Sequence, residues 1–255
     1  MNSVSGIAPK QDDIAFQAKL YSDPNPTRRG LHNGRRDWVE ARLARHMAPG
    51  ARAIEIGVGC GIFTRSMAAQ AGSVMAIDIN QKFLDGVADV AGVEVRNVDA
   101  TTRIGDGEYD LALCSEVLEH VPPERSEAML RAMRQALKPG GVLILTTPQR
   151  FATVELVARL FKFPPVLALA RKLYGSAEEL GHINLLTGGA LRRQIARAGL
   201  EIVESDRLGF YLPVLAEVGG SAGWAALRAI GAVIKRVPVL RGLIWTQAYV
   251  LRRAG

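Results

Sequence analysis

Glu55-Ile56-Gly57-Val58-Gly59-Cys60-Gly61 is the stretch on which the fold turns. Ala53 to Ile56 is a short, mostly apolar run and Ile62 to Gln70 reads as a helix, so a strand delivers three alternate glycines into a turn that opens a helix. Glycines there let the backbone approach a ligand closely and adopt positive φ. A dinucleotide fingerprint requires GxGxxG. Here the third glycine arrives one position early and Ile62 stands in its slot, which disfavours pyrophosphate, and with it NAD, at that helix. Val74 to Ile77 reads as a second strand ending at Asp78, 21 positions after Gly57, where a carboxylate can accept from both hydroxyls of a ribose. Turn, strand-end acid and βαβ spacing together are a stronger signal than the glycines alone.

The same alternation continues outward. Upstream, Trp38, Val39, Leu43 and Met47 stand at helical spacing over 35–47, and Pro49-Gly50 ends that helix. Downstream the pattern predicts a helix over 81–90, strands at 93–95 and 109–114, a helix over 123–137 and a strand at 142–146 after Lys138-Pro139-Gly140-Gly141. A helix over 187–198, a strand at 200–205 and a closing strand at 243–251 follow. This is an α/β chain, a doubly wound, mostly parallel sheet between two helical layers. Its expected organisation is an N-terminal extension over 1–34 and one domain over 35–255, with apolar inserts at about 150–182 and 211–241. In the first insert Phe151, Leu156, Leu160, Phe161, Phe163, Val166, Leu167 and Leu169 alternate with Arg159, Lys162, Arg171 and Lys172, the pattern of an interfacial amphipathic segment. In the second, Trp224 to Arg236 reads as an apolar helix with a basic end.

Composition narrows the classes. The 255 residues are 48% hydrophobic and 22% charged, as in an ordinary folded domain. The two cysteines, Cys60 and Cys114, form no CxxC pair, so neither a disulfide framework nor a cysteine-zinc site is expected. The polar N-terminus has no apolar core of a signal peptide and no run reaches transmembrane length, which makes the cytoplasm, with peripheral membrane contact, the expected location. The net charge of +7 admits nucleic acid, an anionic membrane surface or an anionic cofactor as partner. Many arginines sit beside acids, as in DWVEARLAR over 37–45, and read equally well as solvated helix faces.

Four motifs, EIGVGCG at 55–61, AIDIN at 76–80, NVDAT at 97–101 and YDLALCSEVLEHV at 109–121 followed by LKPGG at 137–141, closely resemble those of the class I S-adenosylmethionine-dependent methyltransferases, type 11 group. The likeness covers roughly residues 35–205, and CSEVLEHV is similar to a segment of the ubiquinone-biosynthesis O-methyltransferases. The resemblance implies a seven-stranded, mostly parallel sheet with an antiparallel last strand. It implies that S-adenosylmethionine is held by Glu55, Gly57, Gly59 and Gly61, with the glycines along its methionine and ribose side. Asp78 would hold the ribose hydroxyls, Ile79 the adenine face, and Asp99 the adenine amino group with the Ala100 backbone nearby. Cys114 and Ser115 would pass close to the methionine part, and Arg36 in HNGRRDWV would pair bidentately with the cofactor carboxylate, Arg35 being the alternative.

Methyl transfer is an in-line displacement at a sulfonium methyl, so the protein positions two reactants and, for a hydroxyl acceptor, removes a proton. His120 and His182 are candidate bases, because imidazole titrates near neutral pH. Glu116, Glu119 and His120 form an alternative site for a divalent cation such as magnesium that lowers the acceptor's pKa. The expected substrate is a small hydrophobic hydroxylated molecule: a quinone precursor, lipid or secondary metabolite. An anionic membrane and a second copy of the chain are further expected contacts of the inserts. The 211–241 insert has no counterpart of that form in the quinone enzymes. An RNA-directed methyltransferase is the less favoured reading, since no NPPY-like base-binding motif follows the fourth strand, and nucleic acid is not an expected partner. A protein that binds the cofactor without turnover is a third.

Overall fold

A computed structural model of the chain describes residues 14–160 and 182–254. Helices α1 (Ile14–Leu20) and α2 (Pro26–His46) precede β1 (Arg52–Ile56), α3 (Ile62–Ala68), β2 (Ser73–Asp78), α4 (Gln81–Asp85), β3 (Val93–Asn97) and β4 (Tyr109–Ser115). A 3-10 turn (Leu118–His120), α5 (Ser126–Ala136), β5 (Leu137–Pro148) and α6 (Thr153–Leu160) follow. Then come α7 (Gly188–Arg197), β6 (Leu200–Leu208), α8 (Pro213–Val218), α9 (Gly220–Arg236), a second 3-10 turn (Pro238–Leu243) and β7 (Thr246–Arg253).

The sheet has seven strands in the order β3-β2-β1-β4-β5-β7-β6. The first five are parallel, and β7 runs antiparallel to both β5 and β6. Period-two alternation divides the core between two helical layers. Ile54, Ile56, Ala112, Cys114, Leu143, Leu145, Tyr249 and Leu251 face α5 and α7, where Met129, Met133, Leu191 and Ile195 meet them. Ala53, Leu111, Leu113, Val142, Ile144, Ala248 and Val250 face α2 and α3, against Trp38, Leu43, Phe63 and Met67. Strand order reverses between β1 and β4, and a crevice at such a point, outside the carboxyl ends of the strands, is where open α/β sheets bind ligands.

Several expected boundaries move. Helix α2 begins at Pro26, capped by the Asn25 side chain, so the boundary expected at 34/35 falls inside it. The helix expected over 81–90 stops at Asp85, and β5 starts at Leu137, where it pairs with Tyr109 before the register shifts. The 211–241 insert comprises two helices, not one. It joins the end of β6 to the start of β7, and because β7 is antiparallel the whole connection sits at the carboxyl edge of the parallel strands. Gly30 of α2 receives the Trp224 ring of α9 so closely that a Cβ there would stand 2.4 Å from a ring carbon. Most of the first insert, residues 161–181, lies outside the described residues, as does 1–13 of the N-terminal extension. Among the described residues no helix is long and apolar enough to cross a membrane.

Candidate active site

The glycine turn builds one wall. Gly57, Gly59 and Gly61 have φ of 82°, 53° and 73°. At Gly57 the need is twofold, since a Cβ would also lie 2.2 Å from Cγ2 of Val117 in the loop after β4. Asp78, at the end of β2, braces the turn: the Val58 N–H donates to its Oδ2 at 2.9 Å and the Asn80 N–H to its Oδ1 at 2.8 Å. Burial nevertheless raises its carboxyl, with these backbone donors opposing. Ile79, the next residue, is 71% exposed, an apolar surface left open beside the turn. Helix α1 approaches from the other side, Gln17 standing 2.7 Å from where a Gly59 Cβ would be, so residues ahead of 35 also line the crevice.

Glu55 is buried on the α3 side of β1, where the Thr64 hydroxyl donates to its carboxylate. It braces the turn from behind; the structure does not bring it to a ligand-facing position. Burial, with Asp78 adding and Thr64 opposing, pushes its carboxyl up to about 8. The sign for stability follows from linkage. Between the ordinary value of 4.5 and about 8 the native state keeps this proton while the unfolded chain has released it, so stability falls as pH rises through that window. Glu55→Gln is expected to flatten part of that fall, on the order of a few kcal/mol, in urea denaturation compared at about pH 5 and pH 8. An identical pH dependence in the variant would remove this role from Glu55.

The β4 end supplies the opposite wall, with two corrections to the expected residues. Cys114 is fully buried against α5 and its thiol cannot touch a ligand; Ser115 points the other way and shares a 2.9 Å hydrogen bond with Thr146. Arg36 turns away to Asp37 at 3.0 Å, and it is Arg35 that enters the site, its Nη1 donating to Glu116 Oε2 at 3.0 Å with both side chains largely buried. Arg35 is one helical turn from Leu31 and from Val39, both buried, so it shares their inward face. Beside it His32 stands edge-on between the rings of Tyr21 and Trp245, and burial, then Arg35, pushes its imidazole down to about 3, leaving it neutral. Glu116 takes a left-handed φ of 58°, which no other non-glycine among the described residues does, a strain of the kind concentrated at functional sites.

Asp99 and Ala100 follow β3. Asp99 accepts from the Thr101 N–H at 2.8 Å and pairs with Arg125 at 2.8 Å; burial works against these partners, but together they hold its carboxyl below its usual range. It is part exposed at the crevice rim and already partnered there.

A second cluster joins the 3-10 turn after β4 to the loop before α7. Ligating atoms of Glu119, His120 and His182 all lie within 4.8 Å of one another, and the two imidazole centroids are 5.4 Å apart. Glu119 is fully buried; Thr147 donates to its Oε2 at 2.9 Å, while Oε1 has no partner. Burial, reinforced by Glu116 and opposed by His182, pushes its carboxyl up to about 8. Its backbone carbonyl accepts from the N–H groups of Ile183 and Asn184, both at 3.0 Å, which pins His182 alongside. His182 Nδ1 meets Glu155 Oε1 of α6 at 3.0 Å. Burial lowers the imidazole pKa, but the Glu155 hydrogen bond and Glu119 outweigh it, and the net shift is upward. The expected trio of Glu116, Glu119 and His120 is thus replaced by Glu119, His120 and His182, because Arg35 holds Glu116 apart. Glu155 is the residue sequence reasoning missed; its signal was a lone acid within the apolar run Val154 to Leu156.

A methyltransferase-domain family model matches residues 29–205. The ubiquinone biosynthesis O-methyltransferase of Xanthomonas campestris pv. campestris (strain B100) is 34% identical over 168 residues, covering 58% of this chain and 68% of that protein. The protein of the same name from Burkholderia pseudomallei (strain 1710b) is 30% identical over 213 residues, covering 79% and 85%. Among solved structures, an N-methyltransferase from Bradyrhizobium japonicum WM9 in complex with S-adenosyl-L-homocysteine shares the fold, with a TM-score of 0.56 at 15% identity over 96% of this chain and 100% of that one. Matched by that domain model over most of its length, and built around the crevice between β1 and β4, the chain belongs to the methyltransferase-domain family and is an S-adenosylmethionine-dependent methyltransferase.

Proposed function

We propose that the protein methylates a hydroxyl group on a small hydrophobic molecule, in the manner of a quinone-precursor O-methyltransferase. The observation that carries this reading is the Glu119–His120–His182 cluster, a proton-accepting group built at the carboxyl edge of the sheet. A hydroxyl acceptor must lose its proton as the methyl arrives, and such a group can receive it. The relatives' name points to the same acceptor chemistry. Exposed Phe151, Leu156 and Ile183 flank Glu155 and His182 in the chain and suit an apolar substrate body.

In this reading the cofactor occupies the crevice, its ribose on Asp78, its adenine over Ile79 near Asp99 and Ala100, and its carboxylate toward Arg35. When bound it supplies the electrophilic methyl. Glu155 orients His182 by accepting a hydrogen bond from its Nδ1–H, which leaves Nε2 as the base. The donor set also fits a divalent cation: Glu119 Oε1 is buried without a partner and two imidazoles stand beside it. Bound there, such an ion would lower the acceptor's pKa. One carboxylate and two imidazoles suit manganese, iron or zinc better than magnesium, which prefers oxygen ligands.

Transfer of labelled methyl from S-adenosylmethionine to catechol-type phenols with and without apolar tails tests the reading. The expected result is transfer that favours the apolar acceptors and rises with pH through a group above the ordinary 6.5 of imidazole, as His182 loses its proton. Transfer to amines but not to phenols would overturn the choice of acceptor. Loss of activity with a chelator and its return with manganese would assign the cluster to a metal.

A further inference from the structure

The cap formed by α8, α9 and the second 3-10 turn goes beyond what the methyl-transfer site requires. Helix α9 is anchored on one side by Gly223, Leu227 and Ile234, which are buried in a small core with Phe210, Ala216 and Ile244. A solvent-facing flank beside this stripe is also apolar: Ala222, Ala225, Ala229, Ile230 and Val233, with the capping Val237, are exposed and, at 100° per residue, share one arc into which Arg236 also falls. Val233 is 60% exposed, and the adjoining Val218 and Val239 are 75% and 86% exposed. A water-facing helix ordinarily carries polar residues on that side, so this face is built for something other than water.

Charge identifies the occupant. From 213 to 243 the basic residues are Arg228, Lys235, Arg236 and Arg241, and the single acid, Glu217, is already paired with Arg28. Lys235 is bound to Asp206, and Arg228, Arg236 and Arg241 are exposed. An apolar helix face bordered by arginines, with no free acid, is the composition of a helix that lies in a lipid interface. A second copy of the chain fits less well, because a two-fold contact places the same patch against itself and would bring like charges together.

We propose that the outer face of α9, extended by α8 and the Pro238–Leu243 turn, docks on an anionic lipid surface. The cap lies at the carboxyl edge of the sheet, as the active site does, so docking there presents the crevice to molecules dissolved in the membrane.

Sedimentation with vesicles of mixed phosphatidylglycerol and phosphatidylcholine, against phosphatidylcholine alone, tests this. The expected result is binding to the anionic vesicles at low salt and release at high salt. Val233→Glu places a carboxylate on the outward face without touching the core and should weaken partition at least tenfold, with S-adenosylhomocysteine affinity unchanged as the check on folding. Arg228→Gln and Arg236→Gln should each cost roughly fivefold. Wild-type protein that stays in the supernatant with anionic vesicles would overturn the proposal. So would undiminished partition of Val233→Glu, which would place binding elsewhere in the chain. Equilibrium sedimentation showing a dimer that Val233→Glu dissociates would assign the face to a second copy and also overturn it.

Discussion

His182→Asn is expected to lower kcat for methyl transfer by about a hundredfold to ten-thousandfold, the range that a positioned acid–base group contributes. The loop should survive the change, because it is tied by its backbone: the Ile183 and Asn184 N–H groups donate to Glu119 O, and Asn184 Nδ2 donates to Leu118 O at 3.3 Å. S-adenosylhomocysteine affinity should therefore stay within about threefold of wild type, which separates loss of chemistry from loss of cofactor. Steady-state kinetics with saturating cofactor checks the first expectation and calorimetry the second. A kcat within about threefold of wild type would remove the cluster from the reaction, whether as base or as metal site.

Asp78→Ala should weaken S-adenosylhomocysteine binding on the order of a hundredfold or more, since hydrogen bonds to a charged acceptor contribute about 1.5–3 kcal/mol each. Two effects combine here. The ribose would lose its acceptor, and the Val58 N–H would lose the oxygen that fixes the glycine turn. Asp78→Asn separates them, because it keeps one acceptor oxygen for the turn but removes the charge. Its affinity should fall between those of wild type and Asp78→Ala. Unchanged affinity in both variants would sink the ribose assignment.

The sheet was legible because buried parallel strands leave strong traces: short apolar runs at βαβ spacing, the first two stopped by Gly57 and Asp78. The same periodicity held information that a motif match passes over. Leu31, Arg35 and Val39 follow one another at helical spacing, which puts Arg35 and not Arg36 on the inward face of α2. Alternation in β4 likewise sets Cys114 with Ala112 on the α5 side, in the core. The pairing of Glu119 and His120 with His182 had no such trace, because 62 positions separate His120 from His182 and no local pattern links them. Arg35 holding Glu116 is the same kind of fact, a long-range contact that displaced an expected ligand. The second insert was readable as an apolar-basic helix; that its apolar residues divide between a buried side and an outward side required the packing of α9 on α2.

Calorimetric titration of the protein with S-adenosylhomocysteine, with NAD as control, tests the central assignment most directly. Micromolar binding of S-adenosylhomocysteine and none of NAD is the expected result, from a turn with glycines at 57, 59 and 61 and Ile62 in the place of a further glycine. Binding of NAD alone, or of neither, would contradict it.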